Sequence, residues 1–159
     1  DVMQVALPHF EESSASFCHT MSSSMSRSER EWVAQGASEA DVLSRLYDVW
    51  TYKEALTKNM GLGLGYDFAR IDLRFGRDVR LAMDGRAVDT YRFRELALPC
   101  GASSRAPGSR VAIALGPRDA WEAPMSKQAV PAQQAMDEGW LRMWTYDAWL
   151  DYARAMSGV

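Results

Sequence analysis

Four side chains have the chemistry of soft metal ligands or of a nucleophile with its base: Cys18, Cys100, His9 and His19. They make a single set of four. The two cysteines stand too far apart in sequence for the paired spacing of a structural zinc site, so no metal is expected. The alternatives for the thiols are a Cys18–Cys100 disulfide, if the compartment is oxidising, or two buried thiols. A Ser-His-acid triad finds no support either. There is no Gly-x-Ser-x-Gly elbow, and Gly101-Ala102-Ser103-Ser104 is ordinary loop sequence. Gly61-Leu62-Gly63-Leu64-Gly65 superficially suggests a phosphate loop. Tyr66 stands where a dinucleotide fingerprint needs its third glycine, and the segment follows a helix instead of opening one. It reads as a helix stop leading into a strand. Nothing in the sequence selects a pair of carboxylates, so no catalytic residue and no cofactor are assigned.

Arginine offers a second kind of chemistry. Arg70, Arg74, Arg77, Arg80, Arg86, Arg92 and Arg94 crowd one stretch, interleaved with Asp67, Asp72, Asp78, Asp84, Asp89 and Glu95. Such alternation suits cross-strand ion pairs on a wet sheet face better than a one-signed nucleic-acid surface. Arg74, Arg80 and Arg92 are the candidates for holding a phosphate or carboxylate.

The elements that would carry these groups follow from periodicity. Residues 1–28 read as an extended, Ser-rich arm, because serine competes with helix by bonding nearby backbone. Phe17, Met21 and Met25 recur every four residues and leave a short helix open there. The remainder, 29–159, reads as one domain. A short helix is expected over 28–35, with Ser28 as N-cap and Gly36 as stop. A long one is expected over 39–60, capped by Ser38, with Val42, Leu46, Val49, Leu56 and Met60 at helical spacing. Lys53 and Lys58 lie towards its C-terminal end, where the helix dipole favours cations.

A β-meander follows. Ile71, Leu73 and Phe75 alternate with Asp72 and Arg74, and Val79, Leu81 and Met83 alternate in turn. Matching the apolar faces selects a three-residue loop, Gly76-Arg77-Asp78, so that Leu73 opposes Leu81 and Ile71 opposes Met83. Asp84-Gly85 then supplies a two-residue turn into a third strand running on through Tyr91 and Phe93. Val111–Leu115 reads as a buried fourth strand, and a final helix is expected over 133–156. The fold class is therefore α+β: a small antiparallel meander of three or four strands packed with two long helices.

That final helix carries Trp140, Trp144, Tyr146, Trp149 and Tyr152 on several sides. An all-round apolar helix is buried on more than one face, which makes these five the expected partner-binding residues. The charges Arg142, Asp147, Asp151 and Arg154 exclude a transmembrane span there, at about 2.5–3.5 kcal/mol each at a bilayer centre.

Composition points the same way. The 159 residues carry a net charge of −3, so nothing draws the chain to nucleic acid. The start at Asp1 without methionine suits a processed precursor, an organellar protein ahead of a periplasmic or secreted one. Together these features suggest a non-enzymatic accessory subunit of a larger assembly. It would bind other protein subunits, with association with a membrane complex left open. The competing readings are an exported binding or inhibitor protein with one disulfide, and a small enzyme or anion-binding module using the Arg-bearing sheet face.

Overall fold

The structure, a computed structural model, describes residues 1–98, 108–117 and 130–139, together with 147, 148, 151 and 155. It has the expected α+β class. The elements are β1 (Val2–Gln4), α1 (Ser14–Met21), α2 (Arg27–Ala34), α3 (Glu39–Asn59), β2 (Ile71–Arg74), β3 (Arg80–Met83), β4 (Arg86–Val88), β5 (Arg92–Leu98), β6 (Ser109–Leu115), β7 (Val130–Pro131) and α4 (Ala132–Asp137). Two sheets form, one of order β1-β6-β5-β7 and one of order β2-β3-β4.

Serines shape the N-terminal region differently from the sequence reading. Within 1–28, β1 pairs with β6, and α1 is closed by a capping box between Ser13 and Ser16. Serine here terminates helices; it does not dissolve them. Phe17 and Met25 of this stretch are buried. The expected N-cap of the second helix also moves. Ser26, and not Ser28, caps α2, with Glu29 reciprocating at the third position. Ser28 instead donates its hydroxyl to Asp72, as does Ser26 at 2.6 Å. Ser38 caps α3 as expected, accepting from the Asp41 N–H at 3.1 Å.

The first hairpin has the register that face matching selects, with Leu73 opposite Leu81 and Ile71 opposite Met83. Asp84 (φ +52°) and Gly85 (φ +74°) both take positive φ, as a type I′ turn requires, and Leu81 then opposes Val88. The single third strand through Tyr91 and Phe93 is corrected. β4 stops at Val88, and β5 leaves for the other sheet, where it forms seven antiparallel pairs with β6. A three-residue β4 has no length to compete with that ladder.

The helix expected over 133–156 is also corrected at its start. α4 closes at Asp137, where Gly139 takes φ +79° and bonds back to the Met136 carbonyl, a left-handed stop. Asp147, Ala148, Asp151 and Ala155 are helical and exposed. No described helix is long and apolar enough to cross a membrane.

α3 carries the core. Its first half packs Leu46, Tyr47 and Val49 against Phe17, Met25 and Val33. Its second half packs Tyr52, Ala55 and Leu56 against Ile71, Leu73, Leu81, Phe93 and Ala112. Phe75 touches both groups.

Candidate functional site

Tyr52, Lys53 and Glu54 are consecutive buried residues of α3, each with a polar end to its side chain. At about 100° per residue they point to three different walls. Each finds a partner on a different element.

The Lys53 ammonium meets the Glu29 carboxylate at 2.6 Å, with both side chains almost fully buried. Its other protons go to the carbonyls of Ser24 (2.9 Å) and Phe68 (2.8 Å). Glu29 in turn accepts the backbone N–H groups of Leu73 (2.8 Å) and Ser26 (2.7 Å). Burial pushes the Glu29 carboxyl up and the Lys53 ammonium down, and their mutual attraction and bonds oppose it. The ring of donors around Glu29 and of acceptors around Lys53 suits the charged pair. It ties α2, α3 and β2 together and is structural.

Tyr52 donates to Glu95 Oε2 at 3.0 Å. Burial, then the Glu95 charge and hydrogen bond, hold the phenol far above its ordinary range. Arg110 completes this cluster, with Nε 3.3 Å from Asp48, Nη1 3.7 Å from Glu95, and Nη2 donating to Ser44 at 2.7 Å.

Glu54 faces β1. Lys58, one turn on, is 3.4 Å from the Glu54 carboxylate and 2.7 Å from that of Asp1. The two acidic side chains are only 9% and 8% exposed, whereas Lys58 is 57% exposed. Asp1 is held in place as the next residue of the β1–β6 ladder. Its nitrogen bonds to the Ala112 carbonyl at 2.6 Å, and the Ala112 N–H returns the bond at 2.9 Å. Asp1 Oδ2 is buried with no hydrogen-bond partner among the described residues. Two buried carboxylates with an uncommitted oxygen, opening to solvent past a movable lysine, form a hard-donor site suited to a magnesium-type cation. No group of three His, Cys, Asp or Glu converges among the described residues. The pair would therefore leave coordination positions for phosphate oxygens and water. Along the same strip, Met3, two residues beyond Asp1, and Trp50, one turn before Glu54, line an apolar cavity of about 240 Å³ with Phe10, Phe17 and Met21.

A profile of the 4'-phosphopantetheinyl transferase superfamily (ACPS) matches residues 1–113. The chain belongs to this superfamily. A curated relative, "4'-phosphopantetheinyl transferase pptA" of Paxillus involutus, is 37% identical over 98 residues, which is 60% of this chain and 37% of the relative. The chain thus spans little more than a third of that protein. Membership in a transferase superfamily overturns the reading as a non-enzymatic accessory subunit of a multiprotein complex.

The sequence reading selected none of Asp1, Glu54 or Lys58 as site residues. Of its anion candidates, Arg80 and Arg92 line one cavity of about 390 Å³, which also holds Asp78 and Asp89. Arg74 sits opposite Arg80 in the β2–β3 ladder and is bound to Asp72 at 3.1 Å. The proposed partner-binding residues Trp140, Trp144, Tyr146, Trp149 and Tyr152 lie outside the described residues. So does Cys100. Cys18 is half-buried and has no disulfide partner among the described residues; burial raises its thiol pKa, the opposite of an activated nucleophile. The Gly61–Gly65 segment is a turn after α3, with a short 3-10 helix over Gly63–Gly65.

Proposed function

We propose that this chain supplies the reacting carboxylates of a phosphopantetheinyl transferase, moving a 4'-phosphopantetheinyl group to a hydroxyl of a carrier protein. Superfamily membership supports the reaction class, and the Asp1–Lys58–Glu54 cluster carries the reading.

The transferred group ends in a phosphate, so the chemistry is phosphoryl transfer. The acceptor oxygen bonds to phosphorus, the bond from phosphorus to the donor's leaving oxygen breaks, and the hydroxyl proton must go to a base. Phosphoryl transfer is catalysed mostly by positioning and by neutralising charge on the phosphate oxygens. Asp1 and Glu54 would hold a divalent cation, which when bound neutralises that charge. Lys58 adds a flexible positive charge at the open side, within reach of a donor phosphate. Glu54, in contact with Lys58 at 3.4 Å, keeps lone pairs free to accept the proton.

The test is transfer of a labelled phosphopantetheinyl group from coenzyme A to an acyl carrier protein. Glu54→Gln should lower the rate about 100-fold or more while the circular dichroism spectrum is unchanged. EDTA should stop transfer, and excess Mg²⁺ should restore it. A folded Glu54→Gln protein with undiminished turnover would overturn the assignment.

A further inference from the structure

One cross-strand row links the reactive carboxylates to a buried network on the far side of α3. Glu95 of β5 lies directly opposite Ala112 of β6, and Ala112 exchanges both backbone hydrogen bonds with Asp1. Residues directly opposite in a ladder share a face, so Glu95, Ala112 and Asp1 form one row beneath α3. The helix crosses that row. Tyr52 binds Glu95 at one end, Lys58 bridges Glu54 to Asp1 at the other, and the small, buried Ala112 between them lets the helix lie close. Arg110, two residues before Ala112 on the same strand face, ties Glu95 to Asp48 of α3. Asn59, at the helix end, donates to the Ala114 carbonyl of β6 at 3.3 Å.

We propose that Glu95, gripped by Tyr52 and Arg110, is a positioning residue that sets the distance between Glu54 and Asp1, and so the affinity of that pair for a divalent cation. The proposal rests on the functional reading above but not on turnover. Glu95 acts through Tyr52 and Arg110, its partners in the buried network. It fixes where α3 lies over the row, and a helix that slides or rolls there changes the one distance the cation feels. Groups hydrogen-bonded directly to metal ligands typically contribute about 10- to 100-fold in metal affinity, and Glu95, acting through α3, is expected at the lower end of that range.

The experiment uses Mn²⁺ alone as probe, its binding followed by electron paramagnetic resonance, alongside the transfer assay. Tyr52→Phe removes one oxygen and leaves the ring packed. It should weaken Mn²⁺ binding about tenfold and lower kcat, with little change in KM for coenzyme A. Glu95→Gln keeps an acceptor for Tyr52 but discharges the contact with Arg110, and serves as the second variant should Tyr52→Phe fail to fold. It should fall between wild type and Tyr52→Phe. A purely structural role would lower Tm and leave Mn²⁺ affinity and kcat unchanged well below Tm, which would sink the proposal. A wild-type protein that binds Mn²⁺ but transfers nothing overturns the functional reading alone. One that binds no Mn²⁺ overturns both.

Discussion

Lys53 shows how much of the site a single residue's position can reveal. The apolar stripe of α3 reads Val42, Leu46, Val49, Leu56, Met60, in steps of four and three residues. The one missing step falls on Lys53. A lysine in a core position must bring a carboxylate with it, and here it brings Glu29. That signal is legible in the sequence, although it marks a structural pair and not the reactive one. Glu54, one residue on, gives no such signal, since an acidic residue beside a stripe looks like ordinary solvated surface. Its partner lies 53 positions away at the other end of a sheet row. Lys53→Met should destabilise the protein by about 3–5 kcal/mol, because Glu29 stays buried without its cation. Urea unfolding at neutral pH would measure it, and a loss below about 1 kcal/mol would show that the pair is dispensable.

Among the elements, those set by local chemistry were legible and those set by competition were not. The β2–β3 register followed from alternation alone, because a one-residue slip would turn every apolar side chain outward. The boundary between β4 and β5 did not, since alternation continues across it and only the length of β6 decides which strand it recruits. Serine misled in both directions, since the same hydroxyl that unsettles a helix interior closes a helix start at Ser13 and Ser26. Between α2 and α3 the chain passes tightly against Val42 at Gly36. A Cβ there would lie 2.6 Å from Val42 Cγ2 and 2.7 Å from its backbone nitrogen. Gly36→Ala should therefore cost about 1–3 kcal/mol, visible as a lower urea midpoint with unchanged m-value. A neutral substitution would mean that the α2–α3 corner yields easily.

At the level of the whole molecule, the two sheets and the N-terminal helices share one support. α3 contributes to both apolar groups, and Phe75 bridges them. Leu46→Ala, in the first group, and Leu56→Ala, in the second, should each cost about 2–5 kcal/mol. Both should leave a single transition that coincides by tryptophan fluorescence and by circular dichroism. Separate transitions would show that the groups melt independently. The α+β class could be read from pattern, whereas membership in the transferase superfamily could not. The proposed chemistry rests on a carboxylate from the start of the described residues and a carboxylate and lysine from α3, a juxtaposition made by topology.

The three neighbouring anchors on α3 also make the helix sensitive to residue count in a way its composition conceals. Inserting one alanine before Tyr52 leaves hydropathy and helix propensity nearly untouched, yet it advances every later side chain by about 100°. Lys53, Glu54 and Lys58 would then each face the wall meant for another residue. The stretch from Asp48 to Lys58 works like the bitting of a key: individual cuts can be reshaped, but their phase along the shaft cannot. Divergence in this chain should accordingly run through substitution here, with insertions and deletions confined to the loops on either side of α3.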